Sequence, residues 1–270
     1  MKKIGFILIF LLVFLFFPFP KNVGPQNKPD LKSVTSSVET TVKNSEFSPL
    51  SLLPAPSSWP RPLYLVWQAA HIKQTVQEKV NQDAWVTIEK LPATLPQAVV
   101  AIEDHRFYEH SGVDVDGIFR ALLANIQADE IVQGGSTITQ QLIKNALLSS
   151  TQTVGRKTLE IFLALIAESS YSKDEILEMY LNSAYYGAGA YGVTQAANTY
   201  FAKTPEELTL AESATLAGLL NAPSALNPYE NPEDCKKRRD LVLKTMAKRG
   251  MITSTLATSS SNEPIVLRER

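Results

Sequence analysis

The stretch Thr94-Leu95-Pro96-Gln97-Ala98-Val99-Val100-Ala101-Ile102-Glu103-Asp104 opens like a helix and ends in two carboxylates. Thr94-x-x-Gln97 has the spacing of a capping box, and the helix it opens runs on through Val99, Ile102 and Phe107. An apolar run closing on Glu103 puts that side chain where the helix leaves the core. Partial desolvation there raises a carboxyl pKa towards the range that a general base or acid needs. An ordinary surface glutamate with Asp104 solvated beside it accounts for the same residues.

Working outward, the chain stays helical. Ser172-x-x-Glu175 and Thr209-x-x-Glu212 repeat the capping-box spacing, and Asn231-Pro232 marks a further start. Apolar periodic stretches lie at Ile118–Ile126, Leu159–Ile166, Ile176–Leu181 and Leu216–Leu220, and Tyr64 to about Val80 reads as one helix. No convincing run of alternating strand residues is present. The expectation is a mostly α domain at residues 63–253, followed by a C-terminal tail at 254–270.

The whole chain has 270 residues, with 26 Lys plus Arg against 27 Asp plus Glu, a formal net charge of −1. That balance argues against a nucleic-acid partner bound by bulk electrostatics. With 44% hydrophobic and 20% charged residues the chain is not wholly disordered. A single cysteine, Cys235, excludes an intrachain disulfide, and three histidines offer no metal-binding pattern.

The N-terminus points to a membrane. Met1-Lys2-Lys3 precedes an apolar run from Ile4 to Phe17 that Pro18-Phe19-Pro20 extends, near the low end of what spans a bilayer. The bulky residues before Lys21 offer no small-x-small cleavage site, which favours an uncleaved signal anchor at 1–20 over a cleaved signal peptide. Positive-inside logic leaves Lys2 and Lys3 in the cytoplasm and exports the remainder. Ser, Thr, Pro and Asn dominate residues 21–62, the composition of a flexible stalk.

Three further clusters combine polar groups in ways a plain helical core does not require. Gln133-Gly134-Gly135-Ser136-Thr137 gives backbone N–H groups and hydroxyls access to an anion at a helix start. On the helix that follows, Ser136, Gln140 and Lys144 share one face by i, i+4, i+8 spacing, a stripe suited to phosphate and sugar. Arg156-Lys157-x-x-Glu160 offers two cations for a pyrophosphate and a carboxylate for its counter-metal, or merely an i, i+4 ion pair. Lys173 through Tyr186 is an amphipathic helix running into a Gly187, Gly189 and Gly192 loop, for which a structural role is the simpler reading.

Taken in order, these motifs resemble those of the peptidoglycan glycosyltransferases, glycosyltransferase family 51. The matches are E-D-x-x-F-x-x-H-x-G at Glu103–Gly112, G-G-S-T-I-T-Q-Q-L-x-K-N at Gly134–Asn145 and R-K-x-x-E at Arg156–Glu160. K-x-E-I-L-E-x-Y-L-N follows at Lys173–Asn182 and R-R-x-x-V-L at Arg238–Leu243, so the likeness runs from about Trp85 to Ile252. The resemblance implies a lysozyme-like large lobe with a smaller membrane-proximal jaw. It implies polymerisation of lipid II into β-1,4-linked glycan strands, with inversion and release of the polyprenyl pyrophosphate. Glu103 would be the general base. Lys144, Arg156 and Lys157 would meet the pyrophosphate, Ser136 and Gln140 phosphate or sugar, and Glu160 a divalent cation, Mg or Mn, or the basic side chains. The site would lie on the extracytoplasmic face of the plasma membrane, with lipid II, the growing strand, the membrane and transpeptidases or other wall-synthesis proteins as partners.

Ile118-Phe119-x-x-Leu122-Leu123-x-x-Ile126 fits either the jaw's membrane-dipping surface or a buried core helix. Seven cations against Asp240 alone between Lys236 and Gly250 suit anionic lipid or a solvated face. No Lys-Thr-Gly occurs and 18 residues follow Ile252, so a monofunctional polymerase is expected. Two rivals share these residues: a lysozyme-like glycan-cleaving enzyme with Glu103 as acid, and a non-catalytic lipid II or glycan-binding scaffold. The resemblance fails at Gln152, where the family commonly carries an Arg for the pyrophosphate, and a neutral amide cannot replace that charge. Gln152→Arg is therefore expected to raise the polymerisation rate, and an unchanged rate would discard a role for this position.

Overall fold

The computed structural model describes residues 58–80, 84–128, 134–148 and 154–269. The expected anchor at 1–20, most of the expected stalk and Gln152 lie outside the described residues. Among those described, no helix is long and apolar enough to cross a membrane.

Eleven α-helices make up the described residues, with one isolated antiparallel bridge, Tyr185 to Tyr191, as the sole β element among them. They are α1 Arg61–Ala70, α2 Ile72–Gln77, α3 Thr94–Glu103, α4 Val115–Ala128, α5 Ile138–Leu147 and α6 Val154–Ser170. The remainder are α7 Lys173–Ser183, α8 Val193–Phe201, α9 Leu210–Leu219, α10 Pro232–Lys248 and α11 Ser254–Asn262. The mostly α expectation holds. In α9, Ala211 and every residue from Ser213 to Leu219 are buried, and the helix packs against both α3 and α10. Small side chains make that approach possible, since a Cβ at Gly218 would stand 3.0 Å from Arg238 Cγ. On the other side α5 lies against α6 and α7, with α1 covering α6.

Helix starts follow the sequence where a hydroxyl precedes a helix that needs one. Ser172 with Glu175, and Thr209 with Glu212, form reciprocal capping boxes. Thr94 does not. Its helix is entered from Ala93 without a side-chain cap, and the Thr94 hydroxyl instead pairs with Ser213 Oγ at 3.2 Å, tying α3 to α9. The single helix read over Tyr64–Val80 is two, broken at His71, whose ring stacks on Trp67 at 4.5 Å.

The expected C-terminal tail is also folded. Arg239, fully buried on α10, donates to the carbonyls of Ser261 at 2.7 Å and Glu263 at 2.8 Å, while Arg268 N donates to Tyr200 O at 2.8 Å. In the sequence Arg239 is one cation in a basic run, and nothing local marks it as the buried anchor of a segment twenty residues on. The buried-core reading of Ile118–Ile126 is overturned: Phe119, Leu123 and Ile126 on α4 are exposed.

The motif on α7 proves largely structural. Glu178 accepts from Trp85 Nε1 at 2.9 Å and Ile88 N at 3.0 Å, and Asn182 exchanges two hydrogen bonds with the Val86 backbone, at 3.0 and 2.8 Å. Both clamp the segment from Trp85 to Ile88, which leads into a short 3-10 turn, onto α7. Asn182→Ala strands two buried backbone groups, at a cost of about 2–4 kcal/mol. A correspondingly lower urea midpoint would confirm the clamp, and a shift below 0.5 kcal/mol on that order-of-magnitude scale would dismiss it.

Candidate active site

Glu103 is the last residue of α3, and its side chain is only 10% exposed. Each of its oxygens has a different neighbour. Gln141 Nε2 on α5 donates to Oε2 at 2.9 Å, and Arg238 Nη2 on α10 stands 3.7 Å from Oε1. Tyr180 on α7 donates its hydroxyl to Gln141 Oε1 at 2.9 Å, which fixes the amide so that its N–H points at the carboxylate. Burial pushes the Glu103 carboxyl above its ordinary value, against the opposing pull of Gln141, Arg238 and Lys144. Burial likewise holds the Tyr180 phenol far above the usual tyrosine range, so it remains a donor at neutral pH.

The residues after Glu103 hold it in place. Asp104 accepts from Ile138 N at 3.1 Å, at the first turn of α5, and from His110 Nε2 at 3.0 Å. Thr137 Oγ1 donates to Gly112 O at 2.7 Å, and a Cβ at Gly112 would crowd Ala164 O at 3.2 Å. Phe107 is buried, with the Lys173 ammonium 4.4 Å from its ring centroid.

A cavity of about 670 Å³ opens beside this cluster, lined by Gln141, Lys144, Tyr180, Tyr185, Tyr191 and Asn221 among others. Lys144 is thus the sequence-derived site residue that shares Glu103's surroundings. The expected stripe of Ser136, Gln140 and Lys144 is not a helical face. The N-cap is Thr137, so Ser136 precedes the helix, and Gln140 is 1% exposed with its carbonyl spent on the Thr137 capping box. The cavity face of α5 is Gln141, Lys144 and Asn145 instead.

A second group gathers where the start of α5 meets α6. Lys157 Nζ bonds Ser136 Oγ at 2.8 Å and pairs with Glu160 Oε1, and Arg156 Nη1 lies 3.6 Å from Glu160 Oε2. Glu160 itself is 1% exposed. These residues fit a divalent cation poorly. The carboxylate already has a cation at each oxygen, and the described residues contain no group of three His, Cys, Asp or Glu around it.

Comparison with known proteins coincides with this core. Residues 69–247 match the family model described as Transglycosylase. The chain belongs to the transglycosylase family. It is 48% identical over 184 residues to a Cupriavidus necator protein whose name marks it provisionally as a transglycosylase, covering 68% of this chain and 79% of that one. It is 44% identical to penicillin-binding protein 1A/1B of Bacillus subtilis over 68% of this chain and 20% of that protein. Against penicillin-binding protein 1A of Aquifex aeolicus the values are 45%, 70% and 26%. The chain therefore spans 20 to 26% of the length of these two penicillin-binding relatives.

Three residues of this transglycosylase cluster went unassigned in the sequence: Gln141, Tyr180 and Arg238. Gln141 was within reach, because a helix opening at Ile138 puts it and Lys144 one turn apart. Tyr180 and Arg238 come from helices 39 and 97 residues beyond Gln141, and no local pattern connects them. Since Gln141 and Arg238 both favour the ionised carboxyl, Gln141→Leu and Arg238→Ala should each raise the Glu103 titration midpoint further above 4.5. Carbon-13 NMR of labelled glutamate reads this directly, and unmoved midpoints would remove both residues from the account.

Proposed function

We propose that the chain is a peptidoglycan glycosyltransferase that polymerises lipid II into β-1,4-linked glycan. The single observation that carries this reading is Glu103: one buried, raised carboxyl held by Gln141 and Arg238 beside a large cleft, in a chain of the transglycosylase family. Glu103 takes the proton from the 4-hydroxyl of the acceptor sugar. The freed oxygen attacks C1 of the donor from the face opposite the pyrophosphate, the C1–O bond breaks, and its electrons leave on the phosphate. Configuration inverts in that single displacement.

The leaving group is already anionic, so it needs positive charge and no proton donor. Lys144 beside the cleft, and Arg156 and Lys157 at the α5–α6 junction, are the cations assigned to it. Glu160 serves by holding Lys157 and Arg156 in position. A metal ion would add Lewis acidity at the phosphates.

The finer architecture follows the same reading: a lysozyme-like lobe around α3, α5 and α9, with α4 in a jaw that touches the membrane. The exposed Phe119, Leu123 and Ile126 of α4 support that contact. With Lys2 and Lys3 inside, the domain stands on the outer face of the plasma membrane.

The purified full chain in detergent, given lipid II, should yield glycan strands, and Glu103→Gln should lower the rate by about 10²–10⁴-fold. The base works only when ionised, so the rate should climb with pH through a midpoint above the ordinary glutamate value. No product from a wild-type chain that still binds lipid II would replace the polymerase with a scaffold.

A further inference from the structure

Arg239 is fully buried on α10, where a charge is costly unless its donors are met. Its guanidinium meets them in two directions. Nε and Nη2 both donate to Asp240 Oδ1 at 3.1 Å on the same helix. Nη1 and Nη2 reach across to Glu263 O and Ser261 O, at 2.8 and 2.7 Å. Only a planar fork of donors can hold two carbonyls and a carboxylate at once. Those carbonyls end α11 and begin a run that is pinned again at Arg268. There Arg268 N donates to Tyr200 O at 2.8 Å, and Tyr229 Oη donates to Arg268 O at 3.0 Å. The segment after α11 is thus a strap tied to α10 at one end and to α8 at the other.

Arg238, one residue earlier, is the side chain beside Glu103. No hydrogen bond among the described residues holds its guanidinium. Its Nε is buried without a partner, and Nη2, 3.7 Å from Glu103 Oε1, stands beyond hydrogen-bond length. Its stem lies against Gly218, where an added Cβ would stand 3.0 Å from Arg238 Cγ. The place of the guanidinium is therefore set by the helix that carries it. Successive residues leave a helix about 100° apart, so Arg239 can be pinned on one side while Arg238 faces another. Turning α10 by about 10° would carry a group about 6 Å from its axis through about 1 Å. A change of that size alters the charge that Glu103 feels from Arg238.

We propose that Arg239 is a positioning residue for the active site: by gripping the strap after α11 it fixes the rotation of α10, and with it the stand of Arg238 beside Glu103. The inference rests on the reading of Glu103 as the base for its catalytic consequence, and on the geometry alone for the coupling. A plain structural anchor would hold the same strap and leave the Glu103 titration where it is.

The test is the Glu103 titration midpoint in the full chain in detergent, read by carbon-13 NMR of labelled glutamate. Arg239→Met keeps an apolar stem, drops the fork, and leaves Asp240 paired with Lys236. It should raise the midpoint as Arg238→Ala does, because the opposing cation is no longer held in place. The pH at which lipid II turnover is half-maximal should rise with it. In an Arg238→Ala background the same change should add nothing, since its effect runs through Arg238. If circular dichroism shows Arg239→Met unfolded, Arg268→Pro takes its place. It removes the N–H given to Tyr200, leaves α10 untouched, and should move the midpoint the same way. An unmoved or lowered midpoint in the folded variant overturns the proposal, as does an undiminished further rise in the Arg238→Ala background. The titration needs no substrate. A chain that shows the coupling and makes no polymer therefore keeps the positioning role and loses the polymerase alone.

Discussion

The carboxylate of Asp104 is the point on which the site depends. It ends α3, accepts from the first free N–H of α5 at Ile138, and accepts from His110 Nε2 across the intervening loop. One side chain thus satisfies an orphan donor at a helix N-terminus, where a negative charge is favoured, and fixes how α3 and α5 meet. The amide contact to Glu103 follows from that junction. Gln141 lies on the first turn of α5 to face it, and Tyr180 reaches Gln141 because α7 packs on α5. The adjacent pair Glu103-Asp104 therefore divides the labour: the second carboxylate builds the corner that holds the first.

Glu103 sits in a compromise of opposed terms. Desolvation favours its neutral form, while an amide N–H, a guanidinium and the Lys144 ammonium favour the charged one. Were the cations absent, burial would raise the carboxyl further and favour its neutral form more strongly. Were it flush against Arg238 in a short bidentate pair, it would be too weak a base. At 3.7 Å the guanidinium moderates the burial without cancelling it. Arg238 is itself lowered by its own burial, so the pair is held together by a packed environment more than by mutual attraction.

Much of this was legible in the sequence, for identifiable reasons. Helix starts with a hydroxyl and a glutamate three residues on were correctly read at Ser172 and Thr209, because the cap is a local bargain. Thr94 has the same spacing, yet its hydroxyl is claimed by Ser213 from a helix far along the chain. Glu103 could be singled out because an apolar run closing on a carboxylate is a local signature of desolvation. Arg238, Tyr180 and the buried Arg239 could not, since each gains its meaning from a partner at long sequence separation. The misplaced stripe on α5 has a smaller cause. Counting i, i+4, i+8 from Ser136 selects Gln140 as the neighbour of Lys144, whereas Gln141, three residues before Lys144, is the one that faces the cleft with it.

The charge arrangement also bears on the direction of the chemistry. A glycosidase needs two carboxyl groups free to act on opposite sides of the bond, one of them protonated to give the leaving oxygen its hydrogen. Glu103 has the raised carboxyl that either a base or an acid could use, so by itself it decides nothing. Glu160 decides more. Its two oxygens face Lys157 and Arg156, so this carboxylate is engaged by two basic side chains. The cleft's charged lining among the described residues is two lysines, Lys79 and Lys144, with no carboxyl group where a glycosidase would need an acid. Such a surface suits a leaving group that arrives with its own negative charge, which is the condition the proposed polymerisation sets.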